Sequence, residues 1–234
     1  MFPLETALKV AKSFTASRSK KYENVPRPSL RGAWVTEQYV YASDFTQMIR
    51  IEHNEDVKEP YQHMYSPSDI KKFERNPNQY PAVDGLIPDR SGASWCFQIT
   101  DYKEWLQIHE MAAVVKDKDF AVTLSLEENV IRASNPNFSL GLEFTYKELP
   151  LIRNIHYRPF EPQSIPLFRY DSKNMIKVCK ALKQLKYQES FSLYSFEDNK
   201  PLFLDGPGVS FLILPIIETI KVNTAPEVPK VNYS

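Results

Sequence analysis

The sequence predicts an α+β fold made of two similar units, and three observations point there. Apolar residues recur at helical spacing in four segments and alternate at strand spacing in the segments between them. The two halves echo each other at a shift of 91 residues. Apolar residues make up 42% of 234 positions and aromatics 13%, enough for a packed core.

The first helix is predicted over residues 4–16, with Leu4, Ala7, Leu8, Ala11 and Phe14 as its apolar stripe. Pro26 and Pro28 break the chain. Two strands follow, Gly32 to Val40 and Tyr41 to His53, joined near Glu37–Gln38. Ser66-Pro-Ser-Asp69 then opens a short helix, from Ile70 to about Arg75, because its side chains can cap the first amides. Tyr80-Pro-Ala-Val-Asp-Gly-Leu-Ile-Pro88 is extended by its prolines and reads as a linker.

A second unit starts at about Ser94. It offers a strand over 95–99, a helix over 102–115, strands over 120–127 and 129–133 around a Glu-Glu-Asn turn, and an alternating run over 138–146. A proline-rich connection leads to the last helix, which Asp171 or Ser172 can cap. Met175, Val178, Cys179, Leu182 and Leu185 fall on one of its faces, and Lys173, Lys177 and Lys180 on the opposite one. Phe191–Phe196 alternates as a half-buried strand, and the Asn199–Gly208 region supplies turns around Leu202-Phe-Leu204. Val209–Ile217 is an apolar run that ends at Pro215 or lies on an edge, since proline has no ladder donor. The 221–234 tail has no periodicity and is expected to be mobile. In the repeat, Glu37, Ala42, Ser43 and Glu52 meet Glu128, Ala133, Ser134 and Glu143, while Val40, Ile49 and Ile51 meet Ile131, Leu140 and Leu142.

Net charge is zero, so any nucleic-acid contact must come from clustered lysines. Six glycines leave no glycine-rich nucleotide loop. His109-Glu110 lacks a second histidine, since Ala113 stands four residues on, and the other histidines are scattered. Neither a metal nor a cofactor is expected, and no catalytic constellation is present, so the chain is not read as an enzyme. Cys96 and Cys179 sit in apolar patterns and read as buried free thiols, which fits a cytoplasmic location. No run is long enough to span a membrane, and no signal peptide pattern opens the chain.

Several stretches together resemble the bacterial-type DNA sliding clamp family, the polymerase processivity factors. Tyr80-Pro81 with Leu86-Ile87-Pro88 resembles the clamp's interdomain connector, Glu128–Pro136 the strand that ends in an Asn-Pro corner, and Asn174–Lys186 the second helix. Leu214-Pro215-Ile216 is similar to the hydrophobic-Pro-hydrophobic triplet that closes a clamp chain. The match is best over Tyr80–Ile217; earlier residues match in outline, through Ala42-Ser-Asp44 and the basic helices.

The resemblance implies two clamp domains, each with two helices on antiparallel sheet: 1–92, abridged and including a connector over 76–92, and 93–220. The first lacks strands after its second helix. It further implies a homotrimeric ring around duplex DNA, as in two-domain clamps, of a phage or mobile-element type. Lys9, Lys12, Lys71, Lys72, Lys173, Lys177 and Lys180 become candidate phosphate contacts. Pro81, Leu86, Leu212, Leu214, Pro215 and Ile216 become a pocket through which a linear peptide of a DNA polymerase or clamp loader would dock. The alternative is a clamp-fold adaptor or inhibitor that binds a replication protein without closing a ring.

Overall fold

The computed structural model describes residues 1–16, 28–75, 80–93, 95–99, 102–114, 121–127, 130–134, 142–144, 165–196 and 200–215. Its elements run α1 (Leu4–Ala11), β1 (Gly32–Val35), β2 (Tyr39–Ser43), β3 (Gln47–Glu52), β4 (Tyr61–Met64) and α2 (Pro67–Arg75), then β5 (Trp95–Ile99), α3 (Tyr102–Val114), β6 (Ala121–Glu127), β7 (Val130–Ser134) and β8 (Leu142–Phe144). The last are β9 (Ile165–Asp171), α4 (Ser172–Gln184), β10 (Phe191–Ser195), β11 (Leu202–Gly206) and β12 (Val209–Ile213).

Two antiparallel sheets carry these strands. One has eight, in the order β4-β1-β2-β3-β12-β11-β10-β5, and the other four, β8-β7-β6-β9. The order β3-β2-β1-β4 in the first sheet repeats β8-β7-β6-β9 in the second. Registers repeat too. Trp34 opposes Tyr41 and Val35 opposes Val40, and 91 residues on, Ser125 opposes Arg132 and Leu126 opposes Ile131. The internal duplication is therefore spatial. From β5 onward a βαβββ unit occurs twice; before it, α1–β3 and β4–α2 supply only part of the same plan. Among the described residues no strand lies between α2 and β5, as the abridged first unit predicts.

The shift does not hold for the third strand. Ile49 opposes Ala42, whereas Leu142 opposes Ala133, so Leu142 is the counterpart of Ile49, and Leu140 is not. The β7–β8 connection is two residues longer than β2–β3, and a two-residue step preserves which face each side chain takes.

Other expectations need correction. Gly32 to His53 forms three strands, not two. The first turn is where expected, with the Tyr39 amide donating to Thr36 Oγ1 at 3.0 Å. The second, Asp44-Phe45-Thr46, contains no glycine or proline; Phe45 itself takes φ 74°. The first helix stops at Ala11 and tightens into a 3-10 turn over Lys12–Phe14, where the Ser13 hydroxyl donates to the Val10 carbonyl and the Thr15 hydroxyl to the Lys12 carbonyl, both at 2.9 Å. The short helix begins at Pro67, earlier than Ile70, with Ser66 Oγ accepting the Asp69 amide at 3.3 Å. The extended linker contains a 3-10 turn at Asp84–Leu86. β9 was hidden in the proline-rich connection. Pro166 is tolerated there because β9 is an edge strand among the described residues, bulged where Leu124 opposes Phe168 and Ser125 opposes Pro166. Of the two alternatives for the last strand the first holds: β12 ends at Ile213, before Pro215, and lies between β3 and β11. The remainder of the 138–146 run and the 221–234 tail lie outside the described residues.

A single core fills the space between one face of the eight-stranded sheet and the helices. Leu4, Ala7, Val10 and Phe14 meet Met175, Val178 and Leu182 there, over Ile49, Ile51, Phe211 and Ile213. Phe14 packs on Phe211 with ring centroids 5.8 Å apart. α3 packs against α4. At that end His109 bridges two elements: Nδ1 meets the Trp105 carbonyl at 2.7 Å and Nε2 meets the Tyr170 hydroxyl at 2.6 Å. Both cysteines are buried and free, and burial pushes the Cys179 thiol up to about 12.

Candidate functional site

Strand alternation gives the eight-stranded sheet a second face, on which no α-helix packs among the described residues. β12 sends Phe211 and Ile213 into the main core and Leu212 to the other side, opposite Met48 and Phe203. Leu212 joins Tyr41, Met48, Phe203 and Phe196 in a separate apolar cluster. The 80–93 segment covers it, contributing Tyr80, Val83 and Ile87. Tyr80 stacks on Trp34 at 6.1 Å and 8° between planes. At the far end of this segment Arg90 pairs with Asp205 of β11. Asp205 also accepts the Ser210 hydroxyl at 2.6 Å and lies 3.9 Å from Arg50, whose guanidinium sits 4.9 Å over the Tyr39 ring. A cleft of about 510 Å³ opens beside this charged group, lined by Tyr39, Arg50, Gln98, Tyr194 and Asp205 among others.

The candidate pocket residues thus separate by role. Leu212 is buried floor, 5% exposed. Leu86 and Leu214 are exposed, at 57% and 45%, and Pro81 and Pro215 are half-buried. Ile216 lies outside the described residues. Sequence reasoning missed Trp34, Tyr41, Met48, Tyr80 and Phe203, which build most of the floor. Alternation within β2, β3 and β11 carried the signal, but a sequence does not say which face a second layer covers. Phe45, 39% exposed in the β2–β3 turn, was also missed. The Leu214 amide donates to the Thr46 carbonyl at 2.9 Å, placing that turn beside the end of β12.

The lysines fall into unlike settings. Lys9, Lys71, Lys173 and Lys180 are exposed. Lys12 is exposed with its ammonium 5.8 Å from the Tyr65 ring centre. The Lys72 side chain lies outside what is described. Lys177 differs: its ammonium donates to Asp44 Oδ2 at 2.9 Å. Asp171 caps α4, its Oδ1 accepting the Lys173 amide at 2.9 Å, and Ser172 is the buried first helical residue. Among the described residues no cluster of three metal-binding side chains occurs, and no helix is long and apolar enough to cross a membrane.

Comparison with solved structures places this arrangement. The beta chain of DNA polymerase III from Streptococcus pneumoniae matches with TM-score 0.64 at 14% identity, over 93% of this chain and 64% of that one. The fold is that of the bacterial DNA sliding clamps. The Bacillus subtilis sliding clamp matches at TM-score 0.64 and 17% identity over 93% of this chain and 63% of its own, and the Thermotoga maritima beta subunit at 0.64 and 15% over 92% and 64%. This clamp-fold chain therefore spans slightly under two thirds of those proteins. No family model and no curated protein sequence matches it.

Proposed function

We propose that this clamp-fold chain acts without chemistry of its own, holding duplex DNA against its basic helices and docking a replication protein through a linear peptide. The observation that carries the reading is the connector packed over the buried Leu212 on the sheet's second face, with Leu86 of the connector and Leu214 after β12 each left exposed. Small apolar anchors beside a rigid floor suit a short peptide. Lys9, Lys12, Lys71, Lys72, Lys173 and Lys180 supply point charges, which suit contacts to phosphates that repeat regardless of sequence. A polymerase or clamp loader tethered in this way stays near its template by effective concentration alone. The division into 1–92, with its connector, and 93–220 belongs to the same proposal.

Encirclement is the open half of the function, and one observation favours the adaptor or inhibitor reading over a trimeric ring. β3 and β8 are counterparts, and β3 takes β12 as its neighbour within the chain. Repeating that junction between copies needs a free β12-like edge in the first unit, and the described residues of that unit supply none. Light scattering at micromolar concentration decides: a stable trimer supports the ring, and a monomer removes it. Docking is tested by Leu214→Asp, which should abolish capture of a polymerase-derived peptide while the chain stays folded. Undiminished capture removes the pocket.

A further inference from the structure

The turn between β2 and β3 is gripped from two sides. The Asp44 side chain is 8% exposed. Its Oδ1 accepts the Thr46 amide at 3.0 Å, the Thr46 hydroxyl at 2.7 Å and the Gln47 amide at 3.1 Å, and its Oδ2 accepts Gln47 Nε2 at 3.0 Å. These bonds come from within the turn. The remaining one comes from α4, where Lys177 donates at 2.9 Å across 133 positions of sequence. Burial would push this carboxyl up, but the Lys177 charge and the hydrogen bonds outweigh it and hold the group below its ordinary 3.8. On the other side, the Thr46 carbonyl accepts the Leu214 amide at 2.9 Å. Between the two grips, Phe45 holds φ 74°, a left-handed conformation costing about 1–2 kcal/mol in a residue with a Cβ. Such a turn keeps its shape only while its surroundings enforce it.

We propose that Lys177 is a positioning residue, not a phosphate ligand: by holding Asp44 it sets the turn whose Thr46 carbonyl fixes Leu214, and so ties the basic helix to the exposed apolar rim after β12. Its two lysine neighbours on α4, Lys173 and Lys180, are exposed, while Lys177 is half-buried against a carboxylate from a distant strand pair. Removing the ammonium leaves a buried anion with only turn donors. The turn must then open to hydrate it, and the Leu214 amide loses its acceptor. The functional consequence rests on reading that rim as a docking site; the mechanical link does not.

Amide hydrogen exchange on the full chain tests the link with no ligand present. Lys177→Met should raise exchange at Gln47 and Leu214 by about tenfold or more, with amides deeper in β3 and β12 unaffected, and Lys177→Arg should restore protection. Unchanged exchange at Leu214 in Lys177→Met overturns the proposal. If that variant does not fold, Lys177→Gln, which keeps a shorter uncharged donor, should show a smaller rise, and unchanged exchange there overturns it equally. Retention on a mixed-sequence duplex gives the second arm. Lys180→Met should lower the logarithmic salt slope by about 0.9 while Lys177→Met leaves it as in the wild type. An equal drop for Lys177→Met overturns the positioning role. A wild type that does not bind the duplex sinks the DNA reading, while the exchange result still decides the link.

Discussion

His109 should make this fold sensitive to mild acid, by an amount that its geometry sets. The imidazole is fully buried, bonded at Nδ1 to the Trp105 carbonyl and at Nε2 to the Tyr170 hydroxyl. The carbonyl can only accept, so Nδ1 carries the proton and Nε2 accepts from tyrosine; a second ring proton would make Nε2 a donor and force that hydroxyl to turn its hydrogen away. Burial, only partly opposed by the Trp105 carbonyl, lowers the group from 6.5 to about 4. Above 6.5 both folded and unfolded chains are neutral here, and stability is at its plateau. Between 6.5 and about 4 only the unfolded chain takes the proton, so stability falls with pH, and below that window the loss levels off. At 1.36 kcal/mol per pKa unit the full loss is about 3 kcal/mol, with about 2 kcal/mol already gone at pH 5. Urea titrations at pH 7, 6, 5 and 4.5 measure it directly. His109→Gln, which cannot titrate, should start less stable at pH 7 by about 1–3 kcal/mol, because it matches those two partners poorly. Its stability should then fall less steeply than the wild type's. Parallel pH profiles for the two proteins would show that the bridge does not exclude the proton.

The remaining expectations are simpler. Leu212→Ala should cost about 2–4 kcal/mol in urea denaturation, because the cavity lies beneath a connector pinned at both ends. Leu214→Asp should change stability by less than about 0.5 kcal/mol, since it alters an exposed side chain. Lys173→Glu with Lys180→Glu should weaken duplex retention and lower its salt slope by about 2 in fluorescence anisotropy, and a double variant that binds as the wild type does would take α4 away from DNA. Gly208→Ala should cost about 1–2 kcal/mol by thermal melting, because φ 75° in the Pro207–Gly208 turn strains any residue with a Cβ.

Much of the architecture was legible because its signals are local. α4 follows from one cap and one apolar stripe, β10 from alternation, and the β11–β12 hairpin from Pro207-Gly208. The 91-residue echo disclosed the duplication because β1–β2 and β6–β7 pair in the same register. What stayed hidden depends on partners remote in sequence. The Asp44–Thr46 turn lacks glycine, since side-chain bonds and a distant lysine stabilise it. β9 tolerates Pro166 because, among the described residues, no strand pairs beyond it in its sheet. The basic stripe of α4 looked uniform because Asp44, which binds Lys177, lies on another strand pair. Leu214 was visible in an end-of-strand triplet and Leu86 in the connector, while Met48, Phe203 and Trp34 on the sheet's second face needed knowledge of the layer above.

The β3–β12 pairing has a temporal consequence. Ile51 is made early, and its ladder partner, Val209, leaves the ribosome 158 residues later. Through that interval β3 offers a row of unsatisfied amides and carbonyls flanked by Met48, Ile49 and Ile51, the kind of surface on which chains stick together. Any nascent or clipped form that lacks Val209–Ile213 therefore carries an adhesive border along β3.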